Sequence, residues 1–83
     1  AKQGTRARVD SLARALGPEI TVNSVAPGTI QFPGEAPDED YIRRTPLHRV
    51  GKGEDIAETV AFLAKSDFIT GQVFVVDGGR TLV

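Results

Sequence analysis

The sequence predicts an α/β fold built in the order helix, strand, loop, helix, strand. Two short apolar segments rich in β-branched residues, at 20–26 and 73–76, predict strands that are covered on both faces. A helical pattern of apolar residues lies between them at 54–65. Because a strand, a crossover helix and a second strand normally form a parallel pair, we expect the strands to be parallel with a right-handed crossover.

Both helices are predicted by apolar residues at helical spacing. The first occupies residues 1–16 and ends at Gly17-Pro18, a common helix stop. No N-cap residue precedes it, so we expect the natural chain to begin earlier. The second helix has acidic residues in its first turn and a lysine in its last, which matches the helix dipole. The positions expected to face the core are Val9, Leu12, Ala13 and Leu16, and then Ile56, Val60, Leu63 and Ala64.

Composition excludes several classes of protein and site. A length of 83 residues allows one small domain with a thin core, because such a chain buries only about 60 to 65% of its unfolded surface. The absence of cysteine excludes a disulfide framework, and no acidic or histidine cluster has metal-ligand spacing. A net charge of -1 argues against a nucleic-acid or membrane surface. No apolar run approaches the ~20 residues that cross a bilayer, and we expect a cytoplasmic protein.

The predicted strands end in residues that favour sharp turns. Pro27-Gly28 ends the first strand, and Asp77 with two glycines ends the second. Ligands of parallel sheets bind outside the carboxyl ends of the strands. The loop 27–46 holds four of the five prolines and is predicted to be mobile, with a short helix around 38–44. We therefore expect a binding site at this edge, covered by the loop.

Five motifs in fixed order make the chain similar to a known family. It resembles the C-terminal third of a short-chain dehydrogenase/reductase, and the resemblance covers essentially all of residues 1–83. The fold that it implies is the C-terminal part of a Rossmann-type doubly wound parallel sheet. The motifs are NSVAPG at 23–28, PL and RVG at 46–47 and 49–51 followed by EDIA at 54–57, FLA at 62–64, ITGQ at 69–72, and VDGG at 76–79.

The resemblance implies a nicotinamide cofactor, NADP or NAD, and hydride transfer to a carbonyl or pterin-type small molecule. Lys2 corresponds to the catalytic lysine of the family, which also binds the cofactor ribose. The resemblance places the nicotinamide at the end of the first strand, beside Pro27, Gly28, Thr29 and Ile30. There the glycine would admit a flat ring, and the amides of Thr29 and Ile30 would hold its carboxamide.

The resemblance also implies that several functional residues of the family are missing from these 83. The family's tyrosine, four residues before the lysine, would fall ahead of Ala1, and the catalytic serine and glycine-rich dinucleotide loop are missing as well. We therefore predict that the chain alone has no reductase activity. The loop is similar to that of the pteridine reductase branch; a 3-oxoacyl-carrier-protein reductase or a sugar-alcohol dehydrogenase is the competing branch. Phe32 and Pro33 would wall a flat substrate ring, or equally pack the loop.

Structural interpretations stand beside these functional ones. Proline and glycine commonly end strands without binding a ligand. Asn23 is expected to bond to neighbouring backbone, because a buried amide needs partners. His48 has no second ligand at useful spacing and is expected at the surface. We expect no phosphate site at Asp77, since no helix is predicted to follow its glycines.

A second functional hypothesis is a non-catalytic module that associates with copies of itself. The resemblance implies a homo-oligomer that pairs through the last strand, 73–76, and the preceding helix, 54–65. An unpaired apolar strand edge would otherwise be exposed to aggregation.

Overall fold

A computed structural model describes residues 2–83, with side chains described from residue 4 onward. It confirms the predicted order of elements and the α/β class. A single 3-10 turn follows the last strand. The elements are α1 (Lys2–Leu16), β1 (Ser24–Pro27), α2 (Glu39–Arg44), α3 (Gly53–Lys65), β2 (Val73–Val76) and the 3-10 turn Arg80–Leu82.

The strands β1 and β2 form a parallel pair, as predicted. Their register places Ser24 opposite Val73 and Pro27 opposite Val76. The strand β1 is shorter than the predicted 20–26, because the residues before it make other bonds. Val22 accepts a hydrogen bond from Gly71 N at 2.8 Å and donates one to the Thr70 hydroxyl at 3.0 Å. The turn before β2 therefore takes the backbone bonds that a longer strand would have made.

Asn23 fixes the same turn through its side chain. Its amide nitrogen donates to Ile69 O at 3.0 Å, and its amide oxygen accepts from Gln72 N at 3.1 Å. Both bonds reach backbone more than 45 positions away in the sequence. The structural role predicted for this residue is confirmed.

The core is thin and centres on α1 and the segment that precedes α3. Val9 and Ala13 are buried as predicted, whereas Leu12 and Leu16 on the same helix are exposed. The other two buried apolar residues among those described are Tyr41 and Val50. The chain thus closes its core with residues from the loop between β1 and α3.

The helix α3 packs against β1 but buries little of its apolar face. Ile56 and Leu63 are partly buried, while Val60 and Ala64 are exposed. None of the four positions is fully buried, so the prediction of a buried stripe is wrong, most clearly at Val60 and Ala64. Two strands present too narrow a surface to cover this face of α3. None of the helices in residues 2–83 is long and apolar enough to cross a bilayer.

The short helix α2 has caps at both ends. The Asp38 carboxylate accepts from Tyr41 N at 3.0 Å, which fixes the start of the helix. Thr45 N donates to Tyr41 O at 2.9 Å at its end. The acidic residues 38–40 are exposed, as expected for a solvated helix start.

Candidate functional site

The ends of β1 and β2 meet at one edge of the sheet, as predicted. Gly28 N donates to Val76 O at 2.9 Å, so the pairing continues one step beyond β1. A cavity of about 560 Å³ lies along this edge, and we call it the edge cavity. It is lined by Thr5, Arg6, Ala26, Pro27, Gly28, Thr29, Tyr41, Val73, Val75, Asp77, Arg80 and Thr81. Three of the five predicted cofactor-binding residues therefore line one cavity.

Gly28 is required by the packing of the protein itself. A Cβ atom at this position would lie 2.7 Å from Asp77 Cβ and 2.9 Å from Asp77 Cα, and it would overlap the Tyr41 hydroxyl. No side chain fits there without displacing the end of β2 or α2. The sequence predicted this glycine as the contact of a flat ligand ring. The structure supplies a second reason that does not involve a ligand.

The backbone after Gly28 is held from the side of α3. Thr29 O accepts from Gly51 N at 2.9 Å, and Gln31 N donates to Gly51 O at 2.9 Å. These bonds form a parallel bridge between Ile30 and Gly51. Within the described residues, no acceptor pairs with the N–H groups of Thr29 and Ile30. Two backbone donors therefore remain available on a rigidly held segment.

An ion pair next to Gly51 stiffens this bridge. The Arg49 guanidinium donates to both oxygens of Asp55, at 3.1 and 2.9 Å, and also to Val50 O at 3.0 Å. Asp55 accepts a further bond from Lys52 N at 2.7 Å, at the start of α3. The side-chain hydrogen bond from Arg49, followed by that backbone bond, lowers the pKa of Asp55 to about 2. The pair thus ties the chain on either side of Gly51.

Tyr41 is a residue of the site that the sequence did not predict. Its hydroxyl donates to Asp77 O at 2.6 Å, and its side chain is buried. Tyr41 O also accepts a bond from the Thr45 hydroxyl, and Thr45 is the most buried polar residue described. The only available signal was that this is the single tyrosine of the sequence.

Asp77 organises the turn after β2. Its carboxylate oxygens accept from Gly79 N and Thr81 N, each at 2.9 Å. Gly78 and Gly79 have positive φ angles of 66° and 92°, which favour glycine. A Cβ at Gly78 would lie 2.7 Å from Thr45 Cγ2, so the turn packs on the end of α2.

The turn corrects one sequence expectation. A helical turn does follow the two glycines, at Arg80–Leu82, although it is three residues long. A single 3-10 turn lacks the row of free N–H groups that binds an anion, so it does not make a phosphate site.

The remaining predicted residues lie elsewhere or outside the described side chains. Lys2 is the first residue of α1, and its side chain lies outside the described residues. Thr5 and Arg6, one helical turn later, line the edge cavity. Phe32 and Pro33 do not; they line a separate cavity of about 660 Å³ against α3. Phe32 is 58% exposed.

Two further sequence predictions are an exposed His48 and no cluster of metal ligands. His48 is exposed, as expected, and has a positive φ of 55°. Among the residues with described side chains, no three His, Asp or Glu residues are grouped as metal ligands.

Comparison with known proteins identifies the family. A family described as Enoyl-(Acyl carrier protein) reductase matches residues 1–81. A short-chain dehydrogenase/reductase of Hericium erinaceus is 43% identical over 95% of this chain and 35% of its own length. A dihydromonapterin reductase of Klebsiella pneumoniae is 41% identical over 87% of this chain and 31% of its own. The chain spans about a third of the length of these relatives.

Solved structures agree with this assignment. A small-chain dehydrogenase in complex with NADPH superposes with a TM-score of 0.84 at 30% identity, over 98% of this chain and 41% of that one. These matches carry both acyl-carrier and pterin descriptions, so they show the family and not the branch. The chain belongs to the short-chain dehydrogenase/reductase family and corresponds to the C-terminal part of its Rossmann-type fold.

Proposed function

We propose that this chain forms the nicotinamide-facing and substrate-covering part of an NADP- or NAD-dependent oxidoreductase. The observation that carries the proposal is the pair of N–H groups of Thr29 and Ile30, which have no acceptor among the described residues and lie on backbone held by Gly51. Thr29 also lines the edge cavity. A nicotinamide carboxamide presents a carbonyl acceptor that two such donors would bind. Membership of a family with an NADPH-bound structure supports the same cofactor class.

The other roles follow from this placement. Lys2, at the start of the helix that borders the cavity, would bind the ribose and lower the pKa of the tyrosine supplied ahead of it. Pro27 and Gly28 would form the floor under the ring. Hydride would pass from the reduced nicotinamide to a carbonyl or pterin-type C=N bond, and a proton would follow from the tyrosine. Since that tyrosine is not among the 83 residues, the chain alone should not oxidise NADPH.

The pterin branch is the finer part of the proposal. It is supported by the loop sequence at 27–33 and by the dihydromonapterin reductase among the relatives. Phe32 and Pro33 would then contact the flat substrate from the loop 27–46. Their present position over α3 requires the loop to move before they reach the edge cavity.

The test is a titration of the 83-residue chain with reduced nicotinamide mononucleotide, followed by amide NMR shifts. We expect shifts at Thr29 and Ile30, and none there with ADP-ribose, which lacks the nicotinamide. Ile30→Pro should abolish binding, because proline has no N–H. Ile30→Ala is the matched control, since it also loses the side chain but keeps the donor. Equal binding by both variants would contradict the proposal, and NADPH oxidation by the wild-type chain would contradict its inactivity.

Self-association is the second candidate function, and exposed apolar residues on the predicted interface favour it. Val60 and Phe62 on α3 are 50% and 60% exposed, and Val75 on β2 is 50% exposed. A copy of the chain would cover the exposed residues of α3, whereas Val75 lines the edge cavity. Phe62→Glu should then lower the mass measured by light scattering to that of a monomer. Phe68→Glu, in the connection between α3 and β2, should not; a wild-type monomer at high concentration would rule out this candidate.

A further inference from the structure

Tyr41 connects the loop 27–46 to the edge of the sheet. The hydroxyl lies against Gly28 and donates to Asp77 O at 2.6 Å, so one oxygen contacts the ends of both strands. The ring also lines the edge cavity. A buried hydroxyl with a short, satisfied hydrogen bond is costly to move, because displacement leaves its partner unpaired.

Further contacts place the end of α2 on the same edge. Thr45 lies against Gly78, and Leu47 N donates to Gly78 O at 3.1 Å. The first part of the loop is anchored to Gly51 instead, through Thr29 O and Gln31 N. Beyond that bridge, Gln31, Phe32 and Glu35 bond to one another. The loop is therefore anchored at both ends, by Gly51 up to Gln31 and by the edge of the sheet from Tyr41 onward.

We propose that Tyr41 is a positioning residue that, together with the Gly51 bridge, holds the backbone of Gly28 to Ile30 against the edge cavity by anchoring the loop 27–46 to the end of β2. It acts through the contact with Gly28 and the hydrogen bond to Asp77 O. If the loop moves, as the sequence predicts, we expect the motion to lie in the residues between Gln31 and the start of α2. The expected effect of Tyr41 on ligand binding rests on the proposed function, whereas its expected effect on the backbone does not.

Hydrogen exchange tests the mechanical part without any ligand. Tyr41→Phe keeps the ring and removes only the hydroxyl. We expect the amides of Gly28 and Leu47 to exchange about three to ten times faster, which is the effect of losing one hydrogen bond. Thr45→Val is the matched control, because it removes a buried hydroxyl that bonds to Tyr41 O at the end of α2 and leaves the contacts of the Tyr41 hydroxyl with Gly28 and Asp77 in place. It should speed exchange within α2 and leave Gly28 unchanged.

Affinity for reduced nicotinamide mononucleotide tests the ligand part. Tyr41→Phe should bind it about three to ten times more weakly, and Thr45→Val should bind it as the wild type does. The inference would be overturned if hydrogen exchange at the Gly28 amide were unchanged in Tyr41→Phe. It would also be overturned if Tyr41→Phe and Thr45→Val changed that exchange, or the affinity for the nucleotide, equally. A wild-type chain that fails to bind the nucleotide would overturn the proposed function instead, while the exchange result would still decide the role of Tyr41.

Discussion

Gly28→Ala is expected to destabilise the fold through packing alone. Gly28 has no positive φ, so an alanine there meets no backbone strain. The added Cβ would lie 2.7 Å and 2.9 Å from Asp77 Cβ and Cα, well inside the 3.5 to 4.0 Å of an ordinary carbon contact. Asp77 is fixed by β2 and by its bonds to Gly79 and Thr81, so the strain must be relieved by moving either strand end or Tyr41.

The size of the effect follows from these contacts. Overpacking of this kind costs about 1 to 3 kcal/mol. Displacing the Tyr41 hydroxyl loses a hydrogen bond worth about 1 kcal/mol. The total, about 2 to 4 kcal/mol, is a large part of the roughly 4 to 12 kcal/mol that a chain of this length has as its free energy of unfolding. The melting temperature should fall by more than about 8 °C.

Urea unfolding followed by circular dichroism measures this difference. Gly4→Ala is the control, because a Cβ at Gly4 meets nothing within 4 Å and lies in a helix. It should raise the free energy of unfolding by about 0.5 to 1 kcal/mol. A Gly28→Ala chain within about 0.5 kcal/mol of the wild type would refute the packing argument. Loss of nucleotide binding at unchanged stability would show instead that the glycine is needed only for the ligand.

Two further predictions concern polar groups that fix the fold. Between about pH 4 and pH 2, the Asp55 carboxyl with its pKa of about 2 binds fewer protons in the folded chain than in the unfolded one, so stability should fall as the pH drops through that window. Asp55→Asn should reduce the decrease of the urea midpoint as the pH falls through this window. An unchanged dependence of the midpoint on pH would contradict the role of the pair formed by Arg49 and Asp55. Asn23→Ala should cost about 1 to 3 kcal/mol, because it removes the hydrogen bonds to Ile69 O and from Gln72 N. The exposed neighbour Thr21→Ala should change the free energy of unfolding by less than about 0.5 kcal/mol, and equal losses in the two variants would contradict the argument.

The features that the sequence predicted well are those set by local pattern. Runs of β-branched residues such as 73–76 specify a strand, and a helix between two strands leaves a parallel pair as the usual arrangement. The acidic first turn of α3 predicted its start to within one residue. Asn23 could be interpreted correctly because an amide on a largely apolar strand needs partners, wherever they lie in the sequence.

The features that escaped prediction depend on contacts between distant residues. Tyr41 and Asp77 are 36 positions apart, and no local pattern couples a tyrosine in a short helix to a carbonyl at the end of a strand. The exposure of Val60 was missed for a related reason. Helical periodicity shows which face of α3 is apolar, but the area available to cover it depends on how many strands the sheet contains.

The edge cavity shows why a motif and its function need separate arguments. The Pro27-Gly28 pair suggested a cofactor because glycine permits close approach, yet Tyr41 and Asp77 already approach Gly28 from within the protein. A glycine at this position would therefore be retained even in a relative that binds no nucleotide. The N–H groups of Thr29 and Ile30 carry more weight, because the flanking bonds to Gly51 hold that backbone and give these two donors no partner among the described residues. A polar group that the fold positions but does not use is the better indicator of a ligand.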